Sequence, residues 1–205
     1  MDTFIFILAL AVVLAVIIWR SKQKASGVYP KVGTAFAYKL IADLSLTGWE
    51  NGLPVFTEKE QEAIQTGLDR FQRDANGQMG GDTVFHPDAA PMIQRQIGSE
   101  ALKELASEGD SLEEIFTNED GPPLDWKERV STYLKAWTMS LDPMILIDLS
   151  GLLAKTGNKK AASAALNVVI SHFKGYAPKF FAGADKENAV TNQVIADARA
   201  RMSEL

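Results

Sequence analysis

The sequence contains no cysteine and only two histidines among its 205 residues. Without thiols, disulfides, thiol catalysis and iron–sulfur clusters are excluded. His86 and His172 lie far apart in the chain and form no HExxH-type pattern, so we expect no metal site. No phosphate-binding loop, GxSxG turn or dinucleotide fingerprint is present either. The sequence therefore predicts neither a catalytic centre nor a bound cofactor.

An excess of positive charge is also lacking, because 21 Lys and Arg against 26 Asp and Glu give a formal net charge of −5. A cluster of cations follows residue 19, so the remainder of the chain is more acidic than this total indicates. Basic patches interleaved with aromatic residues are typical of nucleic-acid-binding proteins, and the sequence has none. We therefore expect no nucleic-acid partner.

One long hydrophobic run is present, at the N-terminus. Residues 3–19 are apolar apart from Thr3. As a helix with a rise of ~1.5 Å per residue they would extend roughly 26 Å, close to the hydrocarbon thickness of a bilayer. We predict a single transmembrane helix over residues 1–20. The predicted anchoring side chains are Phe4, Ile5, Phe6, Leu8, Leu10, Val12, Leu14, Ile17, Trp19 and Arg20.

Other interpretations of this run are a buried core helix and a cleaved signal peptide. Core helices usually carry a polar stripe, and a signal peptide has a positive start, whereas Asp2 precedes this run. A lipoprotein is excluded, because there is no cysteine to acylate. Arg20, Lys22, Lys24 and Lys31 follow the run, so the positive-inside rule predicts a cytoplasmic domain at a bacterial inner membrane or its equivalent.

The rest of the chain predicts helices separated by breaks. Residues 21–29 form a basic tether, residues 30–123 a helical subdomain, and residues 124–205 a second group of helices. Pro30 precedes the first helical pattern, and residues 46–55 are predicted to form a loop. Thr57 and Glu60 form a capping box, which predicts a helix start. This second helix is expected to end before Asp74.

Two helices near the C-terminus are predicted to form a hairpin. Asp142 and Pro143 supply an N-cap and a first-turn proline, and Gly157 separates the first helix from the second. Helices joined by so short a turn lie antiparallel. The pair resembles one tetratricopeptide repeat, with Gly157 at the inter-helix glycine. The other matching positions are Leu146, Leu149, Ser150, Leu153, Ala162, Leu166 and Val169.

The match covers one repeat, and it departs from the family pattern at two points. Ser150 replaces a glycine, and Lys174 stands where the closing proline belongs. The resemblance implies a short stack of helices that offers a groove to a peptide or partner helix. The expected fold class is therefore all-α: an N-terminal transmembrane helix, then a soluble helical domain with a short tetratricopeptide-like stack at its C-terminus.

The leading functional hypothesis is a non-catalytic, membrane-tethered interaction or scaffold module. Its expected partners are the lipid bilayer and other membrane or membrane-associated proteins. The alternatives are an accessory subunit of an integral membrane complex and a membrane-bound hydrolase or transferase. The enzyme would require a pocket formed by several of Asp82, His86, Asp88 and Glu100.

Candidate partner-binding residues come from clustered charge and from aromatic side chains. The acidic stretch near residue 113 and the lysines near residue 159 are either solvated faces or a bipolar docking surface. The aromatic residues between 126 and 137 are either core residues or contact residues. The set is Trp126, Tyr133, Trp137, Glu113, Glu114, Lys159 and Lys160.

Overall fold

The computed structural model of the chain describes residues 27–79, 90–107, 125–177 and 184–205. These ranges contain seven α-helices, a short 3₁₀ turn at Phe173–Gly175 and one two-stranded antiparallel ribbon. The helices are α1 (Val28–Leu44), α2 (Glu58–Met79), α3 (Ala90–Ser107), α4 (Trp126–Ser140), α5 (Pro143–Lys155), α6 (Lys159–His172) and α7 (Ala184–Ser203). The strands are β1 (Trp49–Glu50) and β2 (Leu53–Pro54), paired through Trp49 with Pro54 and Glu50 with Leu53.

Each helix packs on the next from α2 through α6, and α1 and α7 both pack on α6. A single hydrophobic core runs through this arrangement, centred on the helices after residue 125. Leucines at α-helical spacing fill it, and alanines of α6 such as Ala162 and Ala165 let neighbouring helices approach closely. The second half of the chain therefore forms the centre of the described structure.

The predicted fold class needs a correction. Among the described residues no helix is both long and apolar enough to cross a membrane. The physical reason is visible in α2, which is one of the longest helices and carries Glu, Lys, Asp and Arg along its exposed positions. The predicted span, residues 1–20, lies outside the described residues. The predicted all-α class is confirmed for the described residues, which form a helical bundle with a small β-ribbon, whereas the transmembrane helix in that prediction is contradicted by this finding.

Local sequence signals place several helix ends. Glu60 accepts from the Thr57 amide at 2.9 Å while the Thr57 hydroxyl accepts from the Glu60 amide at 3.2 Å, which confirms the predicted capping box. The Asp142 carboxylate accepts from the Met144 amide at 2.9 Å and caps α5, which confirms the predicted N-cap. The chain turns between α5 and α6 at Gly157, whose φ is +81°.

Two predicted boundaries differ from the structure. Residues 46–55 were expected to form a loop, and they contain the β-ribbon. Helix α2 continues to Met79 although it was expected to end before Asp74. Across the start of this extension the Gln72 side-chain amide donates to the Asn76 side-chain oxygen Oδ1 at 2.9 Å, an i,i+4 pair that supports a helix. The polar composition of the residues from Asp74 onward therefore predicted the end of α2 too early.

The helix ends define two ends of the bundle. At one end the Arg129 guanidinium donates to the carbonyl of Ala106, which places the start of α4 beside the end of α3. At the other end Tyr29, at the start of α1, contacts Phe173, just after α6. Helices α1 and α6 are therefore antiparallel. The end of α1 and the start of α6 lie together, far from the point where the chain enters α1.

Candidate functional site

An open groove lies between the end of α1 and the start of α6. It encloses about 600 Å³. One wall is an apolar stripe of α1, and the other combines the α5–α6 turn with the first two turns of α6. The lining residues are Phe36, Lys39, Leu40, Asp43, Leu44, Gly157, Asn158, Lys159, Lys160, Ala161 and Ala164. We call this surface the α1–α6 groove.

The groove is open because its two walls have side chains of different sizes. Phe36, Leu40 and Leu44 are four residues apart and therefore share one face of α1. The facing positions on α6 are Ala161 and Ala164, whose short side chains leave the space between the helices unfilled. Leu40 is buried, whereas Phe36 and Leu44 remain partly exposed at the groove. The result is an apolar surface accessible from solvent.

Charged side chains border this apolar surface. The Lys39 ammonium lies 2.7 Å from the Asp43 carboxylate on the same helix. The Lys159 ammonium donates to the Leu205 carbonyl oxygen at 2.7 Å, which holds the described C-terminal residues beside the start of α6. Lys160 is exposed next to it. Three lysines and one aspartate therefore give the groove border a net positive charge.

The predicted partner-binding residues separate into three groups. Lys159 and Lys160 lie at the groove. Trp126 is 36 % exposed at the start of α4, where the Lys127 ammonium lies 5.7 Å from the centre of its ring. Glu113 and Glu114 lie outside the described residues, as do the predicted anchor residues from Phe4 to Arg20.

Tyr133 and Trp137 lie in the core, with exposed fractions of 3 % and 0 %. The Trp137 indole nitrogen donates to the Tyr29 hydroxyl at 3.2 Å, and the Tyr29 and Trp137 rings meet edge to face. Burial raises the pKa of Tyr29 well above its usual value, so this hydroxyl stays neutral. A partner on the surface does not reach Tyr133 or Trp137. Trp137 instead joins α4 to α1 through Tyr29.

A second, smaller cavity of about 220 Å³ lies between α2, α4 and the two residues just before the β-ribbon, Thr47 and Gly48. It contains the buried ion pair of Glu60 and Lys135, whose charged atoms are 2.6 Å apart. The Glu60 carboxylate also accepts from the Thr132 hydroxyl at 2.7 Å and from the Thr57 amide. Since both carboxylate oxygens already accept hydrogen bonds, we assign this cluster to holding α2 and the ribbon on α4.

The ribbon is attached to α4 by further polar contacts. The Trp49 indole nitrogen donates to the Ser131 hydroxyl at 2.9 Å, and that hydroxyl donates to the Thr47 carbonyl at 2.9 Å. Sequence reasoning missed these contacts and the buried ion pair, because the partners are 72 to 84 residues apart. Their local sign in the sequence is Ser131 and Lys135, which lie among apolar residues of α4.

Catalytic candidates are not brought together in the described part of the chain. No group of three or more His, Asp or Glu side chains there could hold a metal ion. Asp82, His86 and Asp88 lie outside the described residues, and Glu100 accepts from the Gln96 side chain on the exposed face of α3. His172 is half-buried at the end of α6, far along the helix from the groove lysines.

Comparison with known proteins gives no relative: no family model, no curated protein and no solved structure matches this chain.

Proposed function

We propose that the helical domain is a non-catalytic interaction module, a scaffold that binds a partner protein at a membrane surface. The observation that carries this proposal is the α1–α6 groove. It combines an apolar floor with a charged border, as do grooves that receive a helix or peptide of another protein. Its volume of about 600 Å³ would accept several apolar side chains of a partner.

Packing of the α5–α6 hairpin supports a tetratricopeptide-like scaffold as part of this proposal. The seven positions that match the repeat pattern, besides Gly157, are each at most 1 % exposed. They are Leu146, Leu149, Ser150, Leu153, Ala162, Leu166 and Val169. One such hairpin needs neighbours to cover its faces, and here α4 packs on α5, α1 packs on α6, and α7 contacts both helices of the hairpin.

The membrane location rests on the sequence. The apolar run of residues 3–19 and the cations after it would keep the domain near lipid, where confinement raises its effective concentration for membrane partners. Alkaline carbonate washing of membrane vesicles tests this location. Retention of the full-length chain in the membrane pellet supports it, and release of the intact chain into the supernatant contradicts it.

A groove-filling variant tests the interaction function. Ala164→Trp places a large side chain in the groove, whereas Asn167→Trp adds the same side chain at an exposed position of α6 outside the groove lining. The tagged full-length chain and both variants are purified under gentle conditions from the cells that naturally contain it, after chemical cross-linking, and the partners are quantified by mass spectrometry.

We expect the wild-type chain and Asn167→Trp to retain the same partner at a constant ratio and Ala164→Trp to lose it. Circular dichroism checks that the Ala164 variant is folded. Equal retention by all three proteins, or retention of no partner by the wild type, would contradict the proposal. Retention at fixed stoichiometry in high salt would favour an accessory subunit over a reversible adaptor.

A further inference from the structure

We infer that the occupant of the α1–α6 groove is an acidic amphipathic helix of a partner protein. This inference rests on the proposed interaction function and adds the shape and charge of the partner. Three features of the described residues carry it: the length of the apolar stripe, the sign of the charges around it, and the position of the groove in the bundle.

The shape of the groove fits a short helix. From Phe36 to Leu44 the apolar stripe of α1 covers roughly 12 Å, at ~1.5 Å per residue, which equals about two helical turns. The opposite wall is formed by Ala161 and Ala164 of α6, which runs antiparallel to α1. The α1–α6 groove therefore follows the direction of the two helix axes. A third helix can pack the apolar side chains at its positions i, i+3 or i+4, and i+7 into such a groove.

The charges fix the chemistry of that helix. Lys39, Lys159 and Lys160 border the α1–α6 groove, and Asp43 is the only carboxylate side chain among the described residues that line it. The whole chain carries a net charge of −5, so the charge of this border has the opposite sign to the net charge of the protein. Carboxylates flanking the apolar face of a partner helix would meet these lysines, and this complementarity would favour association and fix its orientation.

The position of the groove favours a protein over a lipid surface. The chain enters α1 at Val28, and the groove lysines of α6 lie at the other end of α1, which is 17 residues long. At ~1.5 Å per residue this is a separation of roughly 25 Å. If the residues before α1 hold the domain at a membrane, the groove lysines of α6 lie at the end of α1 opposite to that attachment.

A designed peptide pair tests the inference. The probe is a labelled amphipathic helical peptide with leucines on one face and glutamates elsewhere, and its counterpart has lysines in place of the glutamates. Binding to the purified full-length protein is measured by fluorescence anisotropy at several salt concentrations. We expect the acidic peptide to bind with an affinity that falls as salt rises, and the basic peptide to bind at least about tenfold more weakly.

Charge-reversed variants locate the binding surface. Lys159→Glu with Lys160→Glu reverses the charge at the groove, and Lys31→Glu with Lys174→Glu reverses two exposed lysines at the opposite end of the bundle. Both double variants change the net charge equally. The groove variant should weaken acidic-peptide binding by roughly tenfold and improve binding of the basic peptide, whereas the control variant should remain within about twofold of wild type.

Equal binding of the two peptides, or an equal loss in both double variants, would overturn the inference. So would competition by vesicles of phosphatidylglycerol that is lost in the groove variant, since the lysines would then bind lipid. If Ala164→Trp removes a natural partner but the acidic peptide does not bind, this inference fails and the proposed function stands. If no partner is retained by any form of the chain, the proposed function itself fails.

Discussion

The Lys135 ammonium lies 2.6 Å from the Glu60 carboxylate, and both side chains are about 2 % exposed. Glu60 lies in the first turn of α2 and Lys135 in the middle of α4, so this ion pair joins two residues that are 75 positions apart in sequence. The same carboxylate completes the capping box with Thr57. One buried acid therefore both starts α2 and positions it on α4.

Removing one member of this pair should destabilise the fold strongly. Glu60→Gln keeps the shape of the side chain but leaves the buried Lys135 charge uncompensated, and we expect a loss of ~3–5 kcal/mol in the free energy of unfolding. The double variant Glu60→Gln with Lys135→Met removes both charges and should lose less than the sum of the two single changes. Urea unfolding measures the free energy of unfolding of Glu60→Gln, Lys135→Met and the double variant. A loss below about 0.5 kcal/mol for Glu60→Gln contradicts this assignment.

Gly48 should be more sensitive to substitution than Gly157, although their φ angles are nearly equal at +80° and +81°. A Cβ atom at Gly48 would lie 2.6 Å from the Lys135 ammonium, whereas one at Gly157 has open space around it. Gly157→Ala should cost about 1 kcal/mol for the left-handed backbone alone, and Gly48→Ala should cost clearly more. Equal losses of stability for the two variants in thermal unfolding would show that Lys135 does not restrict the space at Gly48.

The Tyr29 hydroxyl should contribute through its hydrogen bond to Trp137. Tyr29→Phe leaves the buried indole N–H of Trp137 without its acceptor, so we expect a loss of about 1–3 kcal/mol in the free energy of unfolding. Tyr176→Phe is the control, because its ring stacks on Tyr29 but is itself only partly buried. Should the two variants unfold at the same denaturant concentration, the hydrogen bond contributes nothing measurable.

The stability of the fold should depend on pH through Asp142. Burial raises the pKa of this carboxyl above its ordinary value of 3.8, and the Met144 amide and Lys103 oppose that effect. Nearby Asp148 and Glu100 raise the pKa further. A raised folded-state pKa means that the folded chain binds the proton more tightly, so the contribution is present below the unfolded pKa and is lost as pH rises through the folded pKa.

Asp142→Asn removes this titration while keeping a residue that caps helices well. We expect the variant and the wild type to match near about pH 4 and the variant to become relatively more stable toward about pH 7. Urea unfolding across this range provides the measurement. If the wild type instead gains stability relative to the variant as pH rises, the carboxylate is stabilised by its neighbours and burial is not the dominant influence.

Local features of the structure were predictable from sequence because each depends on a few adjacent residues. Thr57 with Glu60, Asp142 with Pro143, and Gly157 each identify a helix end through hydrogen bonds or backbone geometry within one turn. The signals after Pro30, at Thr57 and on either side of Gly157 likewise identified α1, α2, α5 and α6 as helices. Such signals say where a helix begins, and they carry no information about which helix it meets.

The candidate site depends on pairings between distant parts of the chain, and sequence alone did not predict them. Lys160 was identified as a candidate, but Leu40, which lines the same groove, is 120 positions earlier in the chain. Trp137 was a candidate contact residue, yet it is buried because α1 packs on α4 through Tyr29. Long-range packing decided which aromatic and charged side chains reach the surface.

Site-specific photo-crosslinking tests the role of the groove most directly. Phe36 lines the α1–α6 groove, and Tyr38, on the same helix, is exposed outside it beside Gly52. Benzoylphenylalanine is introduced at either position in the full-length chain within its native cells. Our account predicts one discrete protein adduct from position 36 and none from position 38. Equal adducts from both positions, or an adduct from position 38 alone, would contradict it.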